Sequence, residues 1–138
     1  MVSACSAPDA VPHSPAADDL TGGYVHHHVI THLGEKGWEE PTVGDTLSLR
    51  QVGDSLEIYL ALIHTNYHIC EMQTSAVRRG SGFESAPEAI EFGGEASECV
   101  LRVTATSDSI AIHDVENQCR RYYCGARGYI DGSVFPRR

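Results

Sequence analysis

The stretch DSLEIYLALIH, residues 54 to 64, decides the fold. A leucine or isoleucine falls at every second position, and the middle of the run is apolar on both faces. The alternating residues are Leu56, Ile58, Leu60 and Leu62. Side chains two positions apart share one face of an extended chain, so this pattern predicts a central strand of a β-sheet.

The residues before this strand are predicted to form a hairpin with it. DTLSLRQV, residues 45 to 52, alternates in the same way, and VGDS, residues 52 to 55, has the glycine and aspartate typical of a tight turn. A second pair of the same design, CVLRVTA (99 to 105) and DSIAIHD (108 to 114), flanks a TSD turn. The sequence therefore predicts two similar hairpins.

Three further segments are rich in the valine, isoleucine, threonine and tyrosine that favour strands. They are GYVHHHVITHL (23 to 33), YHICEMQTSAV (67 to 77) and AIEF (89 to 92). The best helix candidate, SAPEAIEF (85 to 92), is short and contains a proline. We expect an all-β fold, an antiparallel sandwich or small barrel of about seven strands stapled by disulfides.

Length and charge limit the classes of partner. The 138 residues suffice for one domain with one hydrophobic core. Ten Lys and Arg against 19 Asp and Glu give a net charge of -9. Nucleic acids and anionic membranes attract basic surfaces, so we expect neither as a partner. A basic partner is favoured, and the alternative is that the acidity serves only solubility.

The N-terminal stretch VSAC, residues 2 to 5, resembles the lipobox of bacterial lipoproteins, which makes Cys5 the expected lipidation site. The basic and apolar parts of a signal peptide are missing before it. The proline-rich stretch 6 to 23 is typical of a disordered tether. We expect a lipobox remnant and tether over 1 to 22 and a single β domain over 23 to 138. The protein would be periplasmic and would reach the membrane only through this lipid.

The four other cysteines, Cys70, Cys99, Cys119 and Cys124, form an even set, as expected in an oxidising compartment. The last two frame the start of CRRYYCGARGYIDG, residues 119 to 132, with four residues between them, whereas metal knuckles have about two. We expect two disulfides, Cys70 with Cys99 and Cys119 with Cys124. The other pairings remain open.

Eight histidines raise the question of a metal site. Five of them share strand faces, namely His26, His28 and His32 in one segment and His64 and His68 in another. A zinc site needs three or four ligands at one point, whereas alternate strand positions lie about 7 Å apart. We expect neither a metal nor any other cofactor.

No catalytic motif supports an enzyme. His68 lies close to Cys70, but a thiol in an oxidising compartment with a second cysteine at hand is usually oxidised. The chain has no GxSxG, SxxK or HExxH motif. Two carboxylates could still meet in the fold as an acid and base pair. We expect no catalytic residues and no enzymatic activity.

Several motifs together carry a resemblance to a known group of proteins. They are VSAC, the proline-rich tether, YHIC, ECVLRV (98 to 103) and CRRYYCGARGYIDGSVF (119 to 135). The combination resembles small periplasmic lipoproteins that inhibit cell-wall hydrolases, among them lysozyme inhibitors and immunity proteins against type VI secreted muramidases. The chain lacks the SGxxY-like loop of the membrane-bound lysozyme inhibitors. The resemblance implies an immunity or inhibitor protein that blocks a peptidoglycan-degrading effector.

Two acidic segments are the expected contacts with such an enzyme. GEKGWEEPTVGD (34 to 45) contains the only tryptophan beside two acids, and RRGSGFESAPEAIEFGGEASE (78 to 98) is rich in glycine and glutamate. The expected contact residues are Trp38, Glu39, Glu40, Phe83, Glu84, Glu88 and Glu91. The alternatives are an envelope lipoprotein that binds a small ligand without an enzyme partner, and an envelope structural protein. A deep apolar cavity would favour the small-ligand protein.

Overall fold

A computed structural model of the chain describes residues 19–125 and 127–137. These residues form twelve strands, two single 3₁₀ turns and one short α-helix. The strands are β1 (Gly22–Val29), β2 (His32–Gly34), β3 (Gly37–Glu39), β4 (Thr42–Val52), β5 (Ser55–His64), β6 (His68–Arg79), β7 (Gly82–Ser85), β8 (Glu88–Phe92), β9 (Glu95–Cys99), β10 (Leu101–Ala105), β11 (Ser109–Asp114) and β12 (Ser133–Pro136). The 3₁₀ turns are Thr65–Tyr67 and Val115–Asn117, and the helix is α1 (Cys119–Tyr123).

Eight of these strands form one antiparallel sheet that curls into a nearly closed barrel. Its order is β1-β4-β5-β6-β7-β10-β11-β12, and β2-β3 and β8-β9 are separate two-stranded hairpins. Within the described ranges, β1 and β12 approach each other without a main-chain ladder between them. The prediction of an all-β, disulfide-stapled fold is confirmed, and the sheet takes the barrel-like form.

The barrel interior is filled by the alternating apolar residues. The register pairs Leu47 of β4 with Leu60 of β5, and Leu49 with Ile58, so these side chains meet on the interior face. Other fully buried side chains of the interior are Leu56, Leu62, Leu101, Val103, Ile110, Ile112 and Phe135. Burial of such side chains is the main favourable term for a domain of this size.

The two ends of the barrel differ. Because the strands are antiparallel, successive connections alternate between the ends. Among the described residues, one end carries the short turns at 53–54, 80–81 and 106–108 and the segment before β1, where Thr21 bonds to Gln51. The other end carries both hairpins, the two 3₁₀ turns, α1 and the segment that leads to β12. We call it the disulfide end, because all four bonded cysteines lie there.

All four cysteines of the domain are oxidised as expected, but the expected pairing is wrong. Cys70 is bonded to Cys124, and Cys99 is bonded to Cys119. The reason is α1, which the sequence analysis did not predict. Residues five apart on a helix point about 140° away from each other, so Cys119 and Cys124 reach different strands.

The domain begins earlier than expected. Leu20, placed by the sequence analysis in the tether, is buried in the core. Its amide donates to Gln51 Oε1 at 3.0 Å, and its carbonyl accepts the Tyr24 hydroxyl at 2.7 Å. Cys5 and residues 6–18 of the expected tether lie outside the described residues. Within the described ranges, no helix combines the length and apolar character needed to cross a bilayer.

Candidate functional site

The β2-β3 hairpin presents an apolar pair to solvent at the disulfide end. Leu33 and Trp38 are cross-strand partners, and 67% of Trp38 is exposed. The 3₁₀ turn Thr65–Tyr67 holds the hairpin in place through two hydrogen bonds. The Leu33 amide donates to Asn66 Oδ1 at 2.7 Å, and the Asn66 amide donates to the Thr31 carbonyl at 2.8 Å. An exposed tryptophan on a tethered hairpin has the properties of a binding anchor.

Acidic residues surround this pair. Glu35 lies in the turn, Glu39 follows Trp38 directly, and Glu40 comes next; all three are exposed. Lys36 is the one lysine or arginine within 32–40. The expected contact residues Trp38, Glu39 and Glu40 are therefore all exposed on this hairpin, with the Glu39 side chain on the face opposite to Trp38. We call the segment the tryptophan hairpin (32–40).

The β8-β9 hairpin forms a second acidic surface beside α1. Ile90 anchors it in the core, while Phe92 at its turn is exposed. The Tyr123 hydroxyl donates to Glu88 Oε1 at 2.7 Å, and Arg121 donates to Glu95 at 2.6 Å. Burial, followed by the hydrogen bond to Glu88, raises the pKa of Tyr123 to about 12, so the phenol stays a donor.

The structure splits the expected contact residues of the second segment into two groups. Glu88 and Glu91 lie exposed on the β8-β9 hairpin. Phe83 is 3% exposed in the core, and Arg78 lies over its ring at 4.7 Å from the centroid. Glu84 is half-buried and pairs with Arg102 at 3.3 Å. The expectation that Phe83 contacts a partner is therefore wrong, because SGFES continues the sheet as β7 and turns this ring inward.

Three of the histidines meet at the disulfide end, around the buried carboxylate of Asp45. His26 lies opposite Asp45 in the β1-β4 register, with Nδ1 4.0 Å from Asp45 Oδ2. His28 Nε2 donates to Asp45 Oδ1 at 3.0 Å, and its ring stacks on His26 with centroids 5.4 Å apart. The Ile63 amide also donates to Asp45 Oδ1, at 2.8 Å. This carboxylate is therefore the centre of the cluster.

His64 is the third histidine of this cluster. Its Nε2 donates to the Tyr129 carbonyl at 2.9 Å, and its ring lies 4.6 Å from the Tyr129 ring. Burial lowers the pKa of His64 below its ordinary value, which favours the neutral ring at pH 7. His32 instead packs edge-on against Tyr67, and His68 is exposed.

The shared faces of the histidines were evident in the sequence, but the part played by Asp45 was not predicted from it. The signal was present: Asp45, Leu47 and Leu49 share the inward face of β4, and a carboxylate among core leucines needs buried donors. Among the described residues, no group of three or more His, Cys, Asp or Glu has an arrangement that could hold a metal ion.

Replacing His64 with glutamine is expected to make the free energy of unfolding fall less when the pH is lowered. The folded-state pKa lies below the ordinary value of 6.5, so the unfolded chain binds the proton more readily. Stability is therefore lost as the pH falls through 6.5 toward the folded pKa, and His64→Gln removes this contribution. Urea unfolding at about pH 8 and about pH 5 measures it. His27→Gln, at an exposed site, is the control; an equal effect of both variants contradicts the prediction.

Comparisons of the chain with protein-family models, with curated proteins and with solved structures find no match. Function is therefore inferred from the residues of the disulfide end.

Proposed function

We propose that the protein is a periplasmic immunity or inhibitor protein that binds and blocks a peptidoglycan-degrading enzyme, such as a secreted muramidase, and has no enzymatic activity of its own. The observation that carries this proposal is the tryptophan hairpin. Trp38 is the only tryptophan, is 67% exposed and is flanked by exposed acids on a hairpin tied to the barrel. Desolvated aromatic anchors contribute most of the binding energy in protein interfaces.

Charge supports the same partner class. Peptidoglycan strands are anionic, so a muramidase groove tends to be basic, and this chain carries a net charge of -9. Glu39 and Glu40 beside Trp38, and Glu91 on the second hairpin, add negative charge at the disulfide end. The acids should mainly accelerate association, and the aromatic anchor should slow dissociation.

The covalent structure fits the proposed compartment. Two disulfides are consistent with an oxidising environment such as the periplasm. Cys99–Cys119 ties the β8-β9 hairpin to α1, and Cys70–Cys124 ties the end of α1 to β6 of the barrel. A rigid binding surface loses less conformational entropy when it binds. The proposed lipid anchor on Cys5 would hold the domain at the membrane.

The test is inhibition of purified muramidases secreted by the source organism, measured as slower clearing of a peptidoglycan suspension. Trp38→Ala is expected to weaken inhibition about 30-fold, the effect of removing an interface anchor worth about 2 kcal/mol. The double variant Glu39→Lys and Glu40→Lys is expected to slow association and reduce its salt dependence. Val52→Ala, which trims an exposed apolar side chain near the opposite end, is the control and should leave inhibition unchanged.

The proposal is wrong if no muramidase is inhibited. If a muramidase is inhibited but Trp38→Ala and Val52→Ala behave alike, the contact lies elsewhere on the protein.

A further inference from the structure

A cleft opens at the disulfide end where β1 and β12 are not joined. It has a volume of about 240 Å³, and its walls include His26, His28, Asp45 and His64. A second hollow of about 540 Å³ adjoins it and shares His28, His64 and Tyr129 as lining residues. Together they have the size of a small-molecule site. We call the joined space the histidine cleft, lined by His28, His64, Arg127 and Tyr129.

The polar lining is unusual for this barrel. Deeper in the barrel, the interior is filled by leucine, isoleucine and valine side chains. At the cleft, the Asp45 side chain is only 11% exposed and needs the donors from His28 and Ile63 to offset its burial. Because His28 donates from Nε2, its Nδ1 is the acceptor of the neutral ring. The carboxylate thus fixes both the orientation and the tautomer of His28.

The second imidazole is fixed by the backbone. His64 donates from Nε2 to the Tyr129 carbonyl, so Nδ1 is again the acceptor of the neutral ring. Gly128 makes this contact possible: its φ is +116°, and a Cβ there would lie 2.9 Å from His64 Cδ2 and 3.0 Å from Cys70 Sγ. The Cys70–Cys124 disulfide supports the same segment. The cleft therefore contains two oriented imidazoles.

The outer part of the cleft offers a cation and an aromatic face. Arg127 lines it, is exposed, and makes no ion pair within 19–125 and 127–137. A guanidinium binds a carboxylate through two parallel hydrogen bonds. Tyr129 is 58% exposed and Val29 is equally open, so an apolar face of a ligand can pack there.

We propose that the histidine cleft binds a small organic acid that carries hydroxyl or amide N–H groups besides its carboxylate. Arg127 holds the carboxylate, the imidazoles of His28 and His64 accept the hydroxyl or amide hydrogens, and Tyr129 packs against the ligand's carbon skeleton. Two classes of compound fit this description, namely sugar acids and acylated amino acids. The site uses none of the residues proposed to contact a hydrolase, and its test requires no hydrolase.

The experiment is a titration of the oxidised protein, with its disulfides intact, with three probes. Binding is measured by the changes in the protein's amide chemical shifts and by calorimetry. N-acetylmuramic acid and N-acetylalanine both carry the carboxylate and an amide, and N-acetylglucosamine is the sugar without the carboxylate. At least one of the acids is expected to bind about tenfold more tightly than N-acetylglucosamine, with shifts at His28, His64 and Tyr129. The acid that binds more tightly identifies the class of compound.

Two variants assign the site. Arg127→Gln is expected to weaken acid binding about tenfold, the effect of losing one charged hydrogen-bonding partner. Arg50→Gln removes an arginine from an exposed ion pair on the barrel wall and should leave binding unchanged. The proposal is overturned if neither acid binds, if N-acetylglucosamine binds as tightly as the acids, or if both variants bind alike.

Discussion

Replacement of both Cys70 and Cys124 by alanine is expected to lower the free energy of unfolding by about 4 kcal/mol. The bond closes a loop with a sequence separation of 54, and the chain-entropy relation gives about 4 kcal/mol for a loop of this length. The matched variant that lacks Cys99 and Cys119 opens a loop with a separation of 20 and should lose about 3 kcal/mol. Denaturant unfolding of the oxidised proteins measures both values.

Thiol counting tests the pairing itself. Each of these double variants keeps one intact disulfide, so non-reducing digestion should find no free thiol among the cysteines that remain within residues 19–137, Cys5 being counted separately. A variant that lacks Cys70 and Cys99 breaks both bonds and should leave Cys119 and Cys124 free. Its loss of stability should approach the sum of the other two losses, about 7 kcal/mol. A small loss in this variant, with Cys119 bonded to Cys124, would contradict the structure.

Asp114→Ala is expected to cost about 3 kcal/mol, because it leaves one buried and one partly buried amide without an acceptor. Asp114 is 2% exposed; its carboxylate accepts the Cys119 amide and the Arg120 amide, each at 2.8 Å. These bonds satisfy the first turn of α1 and place Cys119 against Cys99. Denaturant unfolding measures the loss.

The control for this variant is Asp108→Ala, which removes an exposed carboxylate from a turn at the opposite end. Its effect should stay within about 0.5 kcal/mol. Asp114→Asn keeps one acceptor oxygen and should fall between wild type and Asp114→Ala. Equal stabilities of Asp114→Ala and Asp108→Ala would show that the α1 amides find other partners.

The strands were predictable because their interior face is apolar and their exterior face is polar. Residues 54–64 became β5, and its hairpin with β4 has the expected turn at Gly53, whose φ is +61°. β7 was missed because its four residues are too few to show an alternation. The predicted 23–33 strand ends at Val29, and the chain turns back as the separate β2-β3 hairpin.

The disulfide pairing could not be predicted without α1. CRRYY is too short to show the repeat of apolar residues every three to four positions that marks a helix. Five residues are also too few for a stable helix in isolation. The hydrogen bonds that Asp114 accepts and the two disulfides stabilise α1, which its intrinsic helix propensity alone would not. Once the helix is known, the separate directions of Cys119 and Cys124 follow from its geometry.

The candidate sites were predictable in part. Trp38 was found because a single tryptophan beside acids stands out in composition, and it lies exposed as expected. The histidine cleft joins four distant parts of the chain, from β1, β4, the end of β5 and the segment before β12. Closing a barrel brings such parts together, and no local period in the sequence records that closure.

The two disulfides are nested, since Cys99 and Cys119 both lie between Cys70 and Cys124. A force that pulls the oxidised chain from its two ends therefore passes directly from Cys70 to Cys124. The intervening chain, with a separation of 54, would contribute roughly 180 Å of extension if it were free. This length stays hidden until the bond is reduced. Strands β7 to β11, which include the second hairpin, are thereby shielded from tension. A protein-unfolding machine that pulls the chain through a narrow pore meets a covalent loop at this point instead of a single extended polypeptide.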